Sequence, residues 1–170
     1  MNLIVAVDEN WGIGKDNRLL ASIPADMKFF RETTTGHVVV MGRKTLESFP
    51  GKRPLKNRVN IVLTRDPFYE AEGAVIVHNA KELSDKLAGY DTDEVFVIGG
   101  ESIYRQLLSS CDTAYVTKIE AAYDVDAHFP DLDADPAWKL TGEGERFEHE
   151  GLGYRFCCYE KCDAEPEDTA

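Results

Sequence analysis

An acid at position 26, a block of cations between residues 43 and 65, and two places where an apolar run enters glycine directly are the parts of this sequence that could do chemistry. Asp26 lies two residues after Pro24, a residue suited to the first turn of a helix, and Met27, Phe30 and Thr34 follow at helical spacing. An acid in a first turn is commonly a partner of the helix dipole. Walled by Met27 and Phe30, the same acid would be partly buried, and burial raises a carboxyl pKa and keeps a proton available near neutral pH. Spacing alone leaves both readings open.

The cations are Arg43, Lys44, Lys52, Arg53, Lys56, Arg58 and Arg65 against the single acid Glu47, a net of +6 that leaves −18 for the rest of a chain whose total is −12. Such an island is either a solvated face or a pocket for a small polyanion. The overall negative charge argues against nucleic acid or an anionic membrane as partner. The glycine junctions are Val-Val-Val-Met-Gly-Arg-Lys-Thr (38–45) and Val-Phe-Val-Ile-Gly-Gly-Glu-Ser (95–102). Glycine after a strand is commonly only a tight turn, but it also lets a ligand reach the backbone, where unpaired amides favour an anion. Two such junctions on parallel strands would share the carboxyl edge at which open α/β sheets bind ligands. The run 60–63, ending in Thr64 and Arg65, would bring a further cation there. Arg43, Lys44, Thr45, Thr64 and Arg65 would then surround one anion, with Gly99 and Gly100 receiving a diphosphate. That charge count fits a nicotinamide dinucleotide with an extra phosphate, although neither a G-x-G-x-x-G fingerprint nor a P-loop motif is present.

The elements needed to position these residues are legible as β-branched runs at 3–7, 38–41, 59–64, 74–77 and 95–98, alternating with helical patterns. Helices are predicted from Pro24, after Gly42, from Asn79 with Glu82 three residues on, and after Gly99-Gly100. Runs at 114–119 and 154–159, with a weaker one at 138–140, lack an intervening helix. The expectation is an α/β fold with a mainly parallel central sheet of about eight strands, an antiparallel C-terminal edge strand and about four flanking helices. The segment 8–23, with Gly12, Gly14, Asp16 and Asn17, is either a mobile loop over the sheet edge or a plain surface connection.

A length of 170 residues with 43% apolar content suits one core, so residues 1–162 are expected as a single domain and 163–170 as an acidic tail. No apolar run is long enough for a membrane span or signal segment, and a soluble cytoplasmic protein is expected. Cys111, Cys157, Cys158 and Cys162 lack a C-x2-C pair and are expected as buried or idle thiols, with no metal site.

Taken in order, Gly-Ile-Gly-Lys-Asp-Asn (12–17), Ile-Pro-Ala-Asp (23–26), Val-Met-Gly-Arg-Lys-Thr (40–45), Asn-Arg-Val-Asn-Ile-Val-Leu-Thr-Arg (57–65), Val-Ile-Gly-Gly (97–100) with Tyr104, and His-Phe-Pro (128–130) closely resemble the dihydrofolate reductase family of bacterial type, from residue 3 to about 159. The resemblance implies hydride transfer from NADPH to the pteridine of 7,8-dihydrofolate, giving tetrahydrofolate for one-carbon metabolism, in a monomeric enzyme sensitive to antifolate inhibitors. It implies that Asp26 is the catalytic acid, bonding the amino-pyrimidine side of the ring and promoting N5 protonation directly or through water. Arg58 would pair with the α-carboxylate of the substrate's glutamate, Thr117 would support Asp26, and Ile4, Val5, Met27, Phe30, Phe49, Leu55 and Ile98 would complete the substrate site. On the cofactor side it implies Ala6, Ile13, Gly14, Ile98, Gly99, Gly100, Glu101, Ser102, Ile103 and Tyr104 near the nicotinamide and diphosphate. Gly42, Arg43, Lys44, Thr45, Leu63, Thr64, Arg65 and His78 would lie near the adenosine and its 2′-phosphate. Where the family carries a Pro-Trp pair before the first helix, this chain has Leu20-Ala21. Another pyrimidine or pterin reductase of the same fold, such as one acting in riboflavin synthesis, and a non-catalytic NADPH or pterin binder are the alternatives.

Overall fold

The computed structural model describes residues 1–162; the expected acidic tail, 163–170, lies outside the described residues. In chain order the strands and helices are β1 (Asn2–Val7), β2 (Gly12–Lys15), β3 (Arg18–Leu19), α1 (Pro24–Thr34), β4 (Val38–Gly42), α2 (Arg43–Glu47), β5 (Val59–Leu63), β6 (Ala74–Val77), α3 (Ala80–Leu87), β7 (Val95–Gly99), α4 (Glu101–Leu107), β8 (Thr113–Ile119), β9 (Ala127–His128), β10 (Trp138–Glu143), β11 (Phe147–His149) and β12 (Leu152–Lys161). The main sheet runs β10-β12-β8-β1-β7-β4-β5-β6, with β11 paired to β12. Every pairing from β8 to β6 is parallel, so β1, β4, β5, β6, β7 and β8 all end on one edge. That edge therefore receives Asp8, Arg43, Thr64, His78, Gly100 and Glu120 together.

Both faces of the sheet are covered, which is why its parallel strands read as nearly continuous apolar runs. Leu3, Val5, Val7, Val38, Val40, Ile61, Val97, Ile103, Tyr104 and Leu107 fill one core. Ile4, Val39, Met41, Leu46, Val62 and Phe96 fill the other, with Phe29 and Phe30 of α1 packed against them. Successive strand residues alternate between the two, as the period of a strand requires. Helix α1 begins with Pro24 at its first position and has no side-chain cap. Helix α3 starts at Asn79, whose side chain accepts from the Glu82 N–H at 2.8 Å, as the sequence predicted.

Two regions differ from the sequence expectation. The segment 8–23 is neither unstructured nor a plain connection, because β2 and β3 form a hairpin that pairs with β9 in a second, three-stranded sheet. Its two-residue turn, Asp16-Asn17, has φ of 51° and 60°, the left-handed pair that matches the twist of a hairpin and that short polar side chains tolerate. Strands this short carry no periodic signal. The antiparallel edge is also broader than one strand: β12 pairs with β8, β10 and β11. The weak run at 138–140 extends to Glu143 because β12 supplies a partner along its whole length.

Candidate active site

Asp26 sits in the first turn of α1, above β8, and Thr117 of β8 donates to its Oδ1 at 2.6 Å. Burial pushes the Asp26 carboxyl above its ordinary value, and the Thr117 hydroxyl, which favours the charged form, offsets this only in part. Of the two readings that spacing left open, a dipole partner in solvent and a partly buried acid, the second is the one observed. The wall around it differs in one residue. Met27 is 53% exposed, its sulfur accepting from the Ser22 hydroxyl at 3.4 Å, so it rims the acid's surroundings without burying it. Phe29, which spacing did not single out, packs instead against Phe156 and Tyr115, at ring separations of 5.0 and 6.3 Å. Phe156 stands directly opposite Thr117 across β12 and β8.

Ile4, Phe30, Phe49, Leu55 and Ile98 pack in one apolar cluster on the α1 face of the sheet. Thr117 and Asp26 lie on the same face, so an apolar wall and a single acid meet at the carboxyl ends of β1 and β7. Arg58 lies beyond them, its Nη1 donating to Thr34 Oγ1 at 3.1 Å and its Nε to the Lys56 carbonyl at 2.9 Å. Burial, together with the like charge of Arg31, holds the Arg58 pKa below its usual value, the mark of a guanidinium in need of an anionic partner. The backbone that carries Arg58 and Leu55 is pinned by Asn60, a buried amide that accepts from Leu55 N–H at 2.9 Å and donates to the carbonyls of Leu55 and Arg58 at 2.9 and 3.1 Å. A polar residue inside the apolar run 59–63 was the signal that could have exposed this role.

On the neighbouring edge, Gly42 ends β4 and Gly99 ends β7, with Met41 opposite Gly99. Gly99 has φ of 129°, which side-chain-bearing residues rarely adopt. A Cβ on Gly99 or Gly100 would lie 3.4 or 3.6 Å from Thr45 Oγ1, so the two backbones and Thr45 form a narrow polar cradle. Lys44 and Thr45 lie in the first turn of α2, and Thr64 and Arg65 follow β5 beside it, with Gly42 opposite Leu63. This combination of glycine backbone, hydroxyl and cations fits a dinucleotide with more than one phosphate. Arg43 is already engaged, its Nε donating to Glu47 at 2.8 Å and its Nη1 to Asp66 at 3.3 Å.

Not every expected residue reaches the open edge. The side chains of Val5, Leu63, Ile103 and Tyr104 are buried in the core beneath it, and the Tyr104 hydroxyl donates to the Ile4 carbonyl at 2.7 Å. They support the site from below. His78 is tied to Glu82, its backbone N–H and ring Nδ1 lying 2.6 and 3.0 Å from Oε2. Glu101 takes the His128 N–H at 2.7 Å and so links the start of α4 to β9, while Ser102 follows it in the same turn. The His-Phe-Pro segment is structural, since Phe129 stacks on Trp11 and meets Tyr104 edge-on.

Ala6, Ile13 and Gly14 belong to the neighbourhood of the hairpin. Ala6 and Ala21 both pack against the cluster of Ile23, Ile119 and Tyr154. Ile13 rests on the opposite core. A Cβ on Gly14 would stand 2.4 Å from the Arg18 carbonyl, a distance that only glycine allows. The hairpin is held by residues that the sequence reading passed over. Asp8 accepts from the N–H groups of Asn10, Gly12 and Tyr123 at 2.9, 2.7 and 3.0 Å, Asp126 accepts from Asp16 N–H at 3.0 Å, and Lys15 pairs with Asp124. Asn17 reaches from the hairpin turn to the Lys44 carbonyl at 2.7 Å. The hairpin thus spans the ground between the acid and the glycine cradle. All four cysteines are free, and no cluster able to hold a metal occurs among the described residues.

Comparison with known proteins agrees with this geometry. The family model described as dihydrofolate reductase matches residues 1–161. The dihydrofolate reductase of Bacillus subtilis is 41% identical over 95% of this chain and 94% of its own length. That of Haemophilus influenzae is 42% identical over 82% and 83%. The solved structure of dihydrofolate reductase from Enterococcus faecalis, complexed with NADP(H) and RAB-propyl, superposes with a TM-score of 0.85 and 34% identity over 95% of this chain and 96% of that one. A mixed sheet that gathers a half-buried acid, an apolar wall, an arginine with no ion-pair partner among the described residues and a glycine cradle at its carboxyl edge, matched along nearly its whole length, makes this chain a member of the dihydrofolate reductase family.

Proposed function

We propose that the cleft between α1 and the carboxyl ends of β1, β7 and β8 is where this dihydrofolate reductase reduces 7,8-dihydrofolate with NADPH. The single observation that carries the assignment of roles is Asp26, an acid in the first turn of α1, half-buried and held by Thr117. Because Thr117 occupies Oδ1, Oδ2 is left to bond the amino-pyrimidine edge of the pteridine. Ile4, Phe30, Phe49, Leu55 and Ile98 exclude water from the ring, with Met27 at the rim and Val5 offering only its backbone. Arg58, fixed by Thr34 and Lys56, presents the rest of its guanidinium to the glutamate carboxylate. NADPH, when bound, supplies the hydride; Gly99, Gly100 and Thr45 cradle its diphosphate, and Lys44, Thr64 and Arg65 its adenosine and 2′-phosphate. The ring also takes up one proton at N5, and Asp26, whose burial raises its pKa above the ordinary value, is the group placed to promote that uptake.

This reading treats residues 1–162 as the catalytic domain, acting as a monomer in the cytoplasm on small molecules and open to antifolate inhibitors. No helix among the described residues is long and apolar enough to cross a membrane.

The test is Asp26→Asn, assayed by NADPH oxidation with and without dihydrofolate. At pH 7 turnover is expected to fall by roughly 10²- to 10⁴-fold while NADPH affinity is unchanged. As the pH falls, solution protonates the substrate and the deficit shrinks. Equal turnover by the two proteins across the range would remove Asp26 from the mechanism.

A further inference from the structure

The loop that follows β5 places a carboxylate where cations alone would be expected. Asp66 comes directly after Arg65, and its Oδ1 accepts from Phe68 N–H at 2.9 Å while its own N–H donates to Thr64 Oγ1 at 3.2 Å, so the turn is built by local bonds. Its other oxygen, Oδ2, faces Arg43 Nη1 at 3.3 Å. Arg43 in turn lies with its guanidinium carbon 4.8 Å from the Tyr69 ring centre and its Nε on Glu47. Two carboxylates on one guanidinium give this trio a net charge of −1. Arg43 and Asp66 remain 45% and 39% exposed, so a ligand at the edge can reach both. Lys44 and Arg65 have no ion-pair partner among the described residues, which leaves them as the uncompensated cations.

A carboxylate beside an adenosine ribose accepts from a free 2′-hydroxyl and favours the unphosphorylated dinucleotide, whereas an arginine there accommodates the 2′-phosphate. Here both groups are present and bonded to each other. We propose that Asp66 sets the margin by which this enzyme prefers NADPH to NADH, by competing with the 2′-phosphate for Arg43 and by offering an acceptor to a free 2′-hydroxyl. The proposal rests on the cofactor site described above. A 2′-phosphate that takes Nη1 leaves Asp66 without a cationic partner and next to a like charge; a 2′-hydroxyl does neither. The preference for NADPH is therefore smaller than the count of Arg43, Lys44 and Arg65 implies.

Asp66→Asn tests this directly. The amide keeps an Oδ1 acceptor for Phe68 N–H, so the turn survives, and Glu47 keeps its hold on Arg43 Nε while Nη1 is released. The readout is calorimetric binding of adenosine 2′,5′-bisphosphate and of adenosine 5′-monophosphate to the intact protein, with the NADPH-to-NADH ratio of kcat/KM beside it. In Asp66→Asn the bisphosphate is expected to bind about 3- to 10-fold tighter, with the monophosphate unchanged or weaker, as removal of one charge near a partly exposed phosphate implies. In Asp66→Asn combined with Arg43→Ala the gain is expected to shrink, relative to Arg43→Ala alone, to the part owed to like-charge repulsion. A ratio that is unchanged or lower in Asp66→Asn, or a gain that is undiminished without Arg43, overturns the proposal and leaves the reductase reading intact. Failure of the unmutated protein to bind either nucleotide overturns both.

Discussion

A carboxyl that is half-buried beside a single hydroxyl differs chemically from the same carboxyl in water, and Asp26 owes that difference to its neighbours more than to its helix. Phe29 packs against Phe156, which stands opposite Thr117, and the Thr117 hydroxyl occupies Oδ1. Arg58 makes a complementary case, in which the free edge of a guanidinium is aimed by spending its remaining donors on Thr34 and Lys56. Geometry of this kind predicts that Arg58→Lys, which keeps the charge but loses the fork, raises the KM for dihydrofolate by about 10-fold with little change in kcat. A dihydropterin that lacks the glutamate should be turned over equally by both proteins. An equal loss with the two substrates would place Arg58 outside the glutamate site.

Among the elements, the hairpin of β2 and β3 is held largely by carboxylates, Asp8, Asp124 and Asp126. Asp8 anchors its start by accepting three backbone N–H bonds. Burial pushes the Asp8 carboxyl up, but the bonds from Tyr123, Gly12 and Asn10 outweigh it and hold the pKa below the usual value. A depressed carboxylate contributes stability that is present above the unfolded pKa and is lost as the pH falls through the lower, folded one. Asp8→Asn is therefore expected to lower the unfolding free energy at pH 7 by about 1.5–3 kcal/mol, the scale of hydrogen bonds to a charged group. Urea titrations between pH 7 and pH 3 should show the gap closing toward the acid end. A gap independent of pH would mean that packing, not the charge, holds this segment.

At the scale of the whole molecule, the chain sets a strongly negative net charge against a local cationic patch, and the two respond to salt in opposite senses. Self-repulsion at −12 is relieved when the Debye length falls from about 10 Å at 0.1 M to about 3 Å at 1 M. Thermal melts in sodium chloride should therefore shift upward, by roughly 2–4 °C for each kcal/mol of repulsion removed. Over the same range the affinity for adenosine 2′,5′-bisphosphate should fall, since Lys44 and Arg65 act on it through exposed charge. A melting temperature that drops with salt would show that local ion pairs such as Lys118 with Asp133 matter more than the net charge.

The sequence by itself determined the longer strands of the main sheet, the four helices and the mainly parallel class, because each leaves a local pattern; the acid was singled out by the family resemblance, and the short strands β2, β3, β9 and β11 left no signal. Apolar runs mark buried parallel strands, Pro24 and Asn79 mark helix starts, and glycine marks a backbone that something must approach. It did not determine what surrounds each group. Phe156 is set opposite Thr117, the partner of Asp26, only by the pairing of β12 with β8, Asn60 holds Arg58 through a turn, and Asp8 is clamped by Tyr123 from the segment after the neighbouring strand β8. The cationic island was legible as a count, yet only the tertiary structure showed Arg43 shared between Glu47 and Asp66. Charge is additive along a chain and can be read from it; which charges neutralise one another depends on distance, and distance is fixed only when the chain has folded.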